Sequence, residues 1–99
     1  MKRNITIYLL FFVLPLIVAA QSHQTELDRL TKEMYRLYSS HEVEQFMNIT
    51  DQLKDACQKA KDEDLYYRTW ANQASFAFSK ISRDKGIEIA KALNEYSTT

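Results

Sequence analysis

The sequence predicts an all-α fold of antiparallel helical hairpins, and three observations carry that prediction. Residues 21–99 contain no proline and one glycine, Gly86, and they are rich in Leu, Ala, Glu, Lys and Gln, which favour helices. Apolar side chains recur every three or four positions, which is the period of one face of an α-helix. No stretch of useful length alternates between apolar and polar residues, and no Asn-Gly or Asp-Gly pair marks a hairpin of strands.

Residues 1–20 have the layout of a secretory signal peptide. Lys2 and Arg3 form a basic start, residues 5–17 are almost wholly apolar, and small side chains end the segment at Ala20. The apolar run is shorter than the roughly 20 residues that a membrane-spanning helix needs. We expect cleavage after Ala20 and export to the periplasm or the extracellular space. An uncleaved anchor is the alternative, and contact with a membrane is expected only through this segment.

The processed chain, residues 21–99, is expected to form one helical repeat domain of about two hairpins. Loss of Lys2 and Arg3 reduces the 13 basic residues to 11, against 13 acidic residues, a net charge of −2. Neither sign dominates, so no nucleic-acid partner is expected. Cys57 is the one cysteine and allows no intramolecular disulfide. Because small secreted animal domains usually contain several disulfides, this absence favours a bacterial envelope.

Apolar spacing places four helices along the processed chain. The first covers about residues 25–38, and the second is expected to start at Ser39, which stands three residues before a glutamate as in a capping box. The acidic run 62–64 suits the positive end of a third helix over about residues 65–81. Asp84 is the expected N-cap of the fourth helix. Junctions of about three residues predict antiparallel neighbours.

The third and fourth segments resemble a tetratricopeptide repeat over about residues 67–99. Trp70 falls on the aromatic position of that family's first helix, and Ala74 is small where the family has Gly. Gly86 and Ala90 fall on the Ala and Phe positions of its second helix, whereas the family's Leu, Tyr and Pro positions carry other residues here. The resemblance implies a right-handed stack of hairpins, with a small four-helix bundle as the alternative.

Close packing of two antiparallel helices is the physical reason for such a pattern. We expect the bulky Trp70 and Phe78 to lie in the hairpin core. We expect Ala74, Gly86 and Ala90 to let the two helix backbones approach where they cross.

Two interpretations of the other aromatic residues of the third helix stay open. Phe76 points away from Phe78 on an α-helix, so the two rings do not share one core. In one, Phe76 packs against a neighbouring hairpin, as aromatic residues of repeats usually do. In the other, Tyr67 or Phe76 lines a concave groove that forms a candidate interaction surface for a partner peptide.

The chain as a whole resembles the exported N-terminal sensing region of envelope regulators of Bacteroides-type bacteria. The carriers of this resemblance are a signal peptide ending in Ala19-Ala20-Gln21 and the loosely patterned helical hairpins that follow it. In those regulators a membrane helix and a histidine kinase module come after the repeats, and no kinase motif occurs in this sequence. The resemblance implies a sensing or scaffolding role, with a protein, a peptide or further repeats of a longer parent chain as the partner.

No residues have the spacing of a catalytic or metal-binding set. His23 and His41 are far apart in the sequence, and Cys57 borders an apolar helix face, where a lone thiol is usually a small buried side chain. The acidic run 62–64 lacks the glycine and the distal glutamate of a calcium loop. We therefore expect no enzymatic activity, no cofactor and no metal.

The predicted function is that of an exported, non-catalytic helical-repeat module that binds polypeptide. Repeat hairpins need about three neighbours for a continuous core, and no polar capping helix is visible after the fourth segment. We therefore expect the chain to belong to a longer parent or to pair with another chain. A self-contained secreted helical effector or inhibitor is the alternative.

Overall fold

The computed structural model describes residues 23–98. In that part of the chain four helices follow one another: α1 over residues 23–38, α2 over Val43–Ala60, α3 over Glu63–Lys80 and α4 over Arg83–Thr98. These residues contain no strand, so the predicted all-α class is confirmed. The arrangement fits both a stack of helical hairpins and a small four-helix bundle.

The predicted signal peptide, residues 1–20, lies outside the described residues. Cleavage after Ala20 and export therefore stay predictions. Within residues 23–98, none of the helices combines the length and the apolar character needed to cross a membrane.

The turn between α1 and α2 is organised by Ser40 rather than by Ser39. The Ser40 hydroxyl donates to the Leu37 carbonyl at 2.6 Å and accepts the Glu42 N–H at 3.2 Å. Glu42 is the N-cap of α2, and no side chain caps that end. The predicted capping box at Ser39 is wrong, because the chain turns for four residues before α2 begins.

Backbone and side-chain caps define the turn between α2 and α3. Lys61 adopts the left-handed conformation, with φ 58° and ψ 35°. The N–H groups of Lys61 and Asp62 then bond to the carbonyls of Gln58 and Cys57, which closes the end of α2. The Asp62 carboxylate accepts the Leu65 N–H at 3.1 Å, so the predicted acidic start of α3 is confirmed.

Ser82 opens α4, and the predicted N-cap at Asp84 is wrong. The Ser82 hydroxyl accepts the Lys85 N–H at 3.1 Å, and the helix already begins at Arg83. Asp84 lies in the first turn, where its charge favours the helix without capping it.

The hydrophobic core lies between α1, α2 and α3. Helix α1 buries one face at the predicted spacing of three and four residues. Facing α1, the Phe76 ring of α3 stacks on the Phe46 ring of α2, and the two ring centroids lie 3.8 Å apart. The buried core cluster is made of Leu27, Leu30, Met34, Leu37, Phe46, Leu53, Cys57 and Phe76.

Helix α3 is central and packs on two sides. One face carries Gln73 and Phe76 toward α1 and α2, while Tyr66 and Trp70 meet Tyr96 of α4. A helix that is contacted on two sides has no single apolar stripe, so apolar spacing could not separate its faces. Helix α4 therefore packs on the side of α3 that faces away from the core of α1, α2 and α3.

Candidate functional site

The backbones of α3 and α4 are in close contact at Gly86, the one buried residue of α4. A Cβ atom placed on Gly86 would lie 2.6 Å from the Cα atom of Phe78, closer than two such carbons can approach. The prediction that Gly86 lets two helix backbones approach is therefore confirmed. Any larger side chain at this position must push α4 away from α3.

An apolar groove opens on the surface beside this crossing, and we call it the α3/α4 groove. Its volume is about 220 Å³, and its lining is almost wholly apolar. Phe78 is 50% exposed and Ile87 36% exposed, and Ile81 at the end of α3 is 42% exposed. The lining residues are Ala74, Ser75, Phe78, Gly86, Ile87 and Ala90.

The residues predicted to pack inside the hairpin have different positions in this groove. Ala74 is 9% exposed and lies beside the crossing, as predicted. Ala90 is exposed, and it forms part of the groove instead of separating the two backbones. Phe78 was predicted to lie in the core, which is wrong: its backbone meets Gly86, so its ring is left half in solvent.

Phe76 is unavailable to a partner peptide because it belongs to the core. It is 1% exposed and stacks on Phe46, and its ring centroid lies 6.2 Å from that of Tyr38. Of the two interpretations of Phe76, packing against the neighbouring hairpin is confirmed. The interpretation that Phe76 lines a binding groove is wrong.

Tyr67 and Trp70 belong to an aromatic cluster at the C-terminal end of α4. The Tyr96 ring lies 5.8 Å from Tyr67 and 5.4 Å from Trp70, between centroids, and Tyr66 joins them. Burial, with the neighbouring tyrosines, raises the pKa of Tyr66. Tyr67 is seven residues before Ala74 and so lies on the same side of α3, two turns beyond the groove lining. The prediction that Trp70 lies in the hairpin core is wrong, because its side chain is only partly buried.

A buried polar network joins α2 to α3, and apolar spacing gave no sign of it. The Gln73 amide nitrogen donates to the Thr50 hydroxyl at 2.8 Å and to an Asp51 carboxylate oxygen at 2.9 Å. The Lys54 ammonium group donates to the Gln73 amide oxygen at 2.9 Å and lies 4.9 Å from the centre of the Trp70 ring. Gln73 is 3% exposed, so these bonds satisfy an amide that would otherwise be costly to bury.

Cys57 is a buried structural side chain, as predicted. It is 0% exposed, and burial, followed by the charge of Asp62, raises the pKa of its thiol to about 11. A thiol with that pKa is almost entirely protonated at neutral pH and is a poor nucleophile. Within residues 23–98, no three His, Cys, Asp or Glu side chains are grouped so as to hold a metal ion.

No protein-family model, curated protein or solved structure matches this chain.

Proposed function

We propose that this chain is an exported, non-catalytic helical module that binds polypeptide through the α3/α4 groove. The observation that carries the proposal is the exposure of Phe78 and Ile87 beside a tight helix crossing. Contiguous exposed apolar surface on a small domain is a common feature of interaction sites.

The hydrophobic effect supplies the driving force for such binding. Fully burying a Phe or Ile side chain stabilises by about 1.5–3 kcal/mol. Because Phe78 and Ile87 are still partly exposed, a bound partner would gain the remaining part of that free energy by covering them. Because Gly86 lies directly against the Phe78 backbone, the groove is already open beside the crossing in the free protein. Ser75 is its one polar side chain, so shape and apolar contact would dominate recognition.

The proposed setting is the cell envelope, where the module would sense or scaffold. This part of the proposal rests on the sequence of residues 1–20, with a basic start, an apolar run and a small-residue end. Expression of the full chain in a bacterial host should yield a processed protein whose first residue is Gln21. N-terminal sequencing of the cell-envelope and cytosolic fractions tests this, and an unprocessed cytosolic chain would contradict it.

A peptide-display selection on the purified protein tests the binding function. The substitution Ala90→Arg places a long charged side chain in the groove, whereas Ala92→Arg places it elsewhere on the exposed surface of α4. We expect selected peptides to bind the Ala90→Arg variant at least about tenfold more weakly than the wild type, a loss of about 1.4 kcal/mol. Binding to the Ala92→Arg variant should be unchanged. If no selected peptide depends on Ala90, the groove is not the binding site.

A further inference from the structure

The two helical hairpins present corresponding grooves. An offset of 40 residues separates the starts of α2 and α4. At this offset the ring contact of Tyr38 with Phe46 corresponds to the contact of Phe78 with Gly86. The six residues lining the α3/α4 groove correspond, in order, to Met34, Tyr35, Tyr38, Phe46, Met47 and Thr50.

In the first hairpin this groove is already occupied, and its occupant is a helix. Helix α3 lies there with Phe76 stacked on Phe46 and tilted against Tyr38. Three residues earlier, Gln73 reaches the Thr50 hydroxyl at 2.8 Å. The contacts of α3 therefore define what a groove of this shape accepts: a helix with two inward side chains spaced by three residues.

We infer that the α3/α4 groove receives an amphipathic α-helix from a partner polypeptide, in the way that the groove of the first hairpin receives α3. The inference rests on the proposed function and adds the kind of partner. Continuity with the α3 interface selects a helix over an extended peptide, because a helix contacts the corresponding surface one hairpin earlier at Met34, Tyr38, Phe46 and Thr50.

The differences between the two grooves specify the chemistry of the partner helix. Ala90 takes the position of Thr50, so the floor no longer offers a hydrogen-bonding hydroxyl. Lys91 takes the position of Asp51, whose carboxylate accepts from Gln73 in the first groove. Lys54, which also bonds to Gln73 in the first groove, corresponds to Asn94, so the acid–base pair on the first rim is replaced by a single positive charge on the second.

A carboxylate on the partner helix is the complement of this single positive charge. The acidic side chain would stand where Gln73 stands in the first groove, facing Lys91. An aromatic side chain would follow three residues later, at the position of Phe76. There it would cover the exposed Phe78 ring beside the tight crossing at Gly86.

Two synthetic peptides with the sequence of α3, Glu63–Lys80, test this inference. One carries the substitution Gln73→Glu and the other Gln73→Lys, and both keep Phe76. Their affinity for the protein purified from expression of the full chain is measured by fluorescence anisotropy, with peptide helicity followed by circular dichroism. The protein variants are Lys91→Glu and, as a control of equal net charge, Lys32→Glu on the exposed surface of α1.

The wild type should bind the Gln73→Glu peptide about two- to fivefold more tightly than the Gln73→Lys peptide, the effect of one exposed charge pair. Lys91→Glu should reverse that preference, Lys32→Glu should preserve it, and Ala90→Arg should weaken both peptides at least about tenfold. The peptides should gain helicity when bound.

Equal affinity of the two peptides, no binding of either, or binding indifferent to Ala90→Arg would overturn the inference. So would a dimer of the free protein that Ala90→Arg converts to a monomer in sedimentation, because the occupant would then be a second copy of the chain. These results leave the proposed function standing if non-helical peptides from the display selection still depend on Ala90. If those also fail, both proposals fall.

Discussion

At the scale of single residues, two positions are defined by what surrounds them rather than by their own propensities. Gly86 is a poor helix former in the first turn of α4, yet it is buried against the backbone of Phe78. Gln73 is a polar residue on a buried face, where Thr50, Asp51 and Lys54 satisfy its amide. Both residues act by joining neighbouring helices.

Gly86→Ala should destabilise the protein, against the general trend for helices. In an exposed helix this change is stabilising by about 1 kcal/mol. Here the added methyl group would overlap the backbone of Phe78, and forcing α4 outward should cost about 1–3 kcal/mol. Urea unfolding followed by circular dichroism gives the free energy of unfolding. Ala92→Gly is the matched control, since it loses about 1 kcal/mol of propensity alone; a more stable Gly86→Ala variant would disprove the tight crossing.

Gln73→Leu should lower the free energy of unfolding by about 1–2 kcal/mol, even though it places an apolar residue in a buried position. The change removes the amide that accepts from Lys54 and donates to the Thr50 hydroxyl and to Asp51. Adding Thr50→Val should recover part of that loss, because the contact between positions 50 and 73 is then apolar on both sides, while the bonds of Gln73 to Lys54 and Asp51 stay lost. A double-mutant cycle in urea measures the coupling energy, and strictly additive single effects would mean that this hydrogen bond contributes nothing.

At the scale of the helices, local patterns predicted the elements that have one solvent-facing and one core-facing side. The four buried positions of α1 stand at the predicted spacing, and the acidic cap of α3 is found at Asp62. The buried face of α3 could not be predicted from apolar spacing, because α3 is packed on both sides and its buried residues include the polar Thr69 and Gln73. The α3/α4 groove could not be predicted from the sequence either. The exposure of Phe78 depends on how closely α4 crosses α3 at Gly86, and the spacing of apolar residues along the chain does not show that distance.

The end of α2 carries a measurable strain at Lys61. Its positive φ of 58° is costly for a residue with a Cβ atom and free for glycine. Lys61→Gly should therefore stabilise the protein by about 0.5–1 kcal/mol. Lys59→Gly, two residues earlier inside the exposed last turn of α2, should instead cost about 1 kcal/mol. Thermal unfolding of the two variants beside the wild type compares them, and equal shifts would show that the left-handed turn is not populated.

At the scale of the whole molecule, stability is distributed unevenly between the first three helices and α4. The residues of the buried core cluster belong to α1, α2 and α3. Helix α4 buries only Gly86 near its start, and near its end it contacts α3 through the aromatic cluster around Tyr96. This gradient suits an interaction module, because the groove wall formed by α4 can adjust while the first three helices hold α3 in place.

Native-state hydrogen exchange should therefore resolve two levels of opening in the free protein. Amide protons of α4 should exchange through a sub-global opening of lower free energy than those of α2 and α3, because fewer buried apolar contacts hold α4. Tyr96→Ala should lower the protection of α4 further and leave α2 almost unchanged, since the Tyr96 ring meets only α3 among the described ring contacts. Occupation of the groove by the Gln73→Glu peptide should raise the protection of α4 toward that of α2. If α4 and α2 exchange with the same free energy in the free protein, all four helices unfold as one unit and α4 is not an adjustable wall.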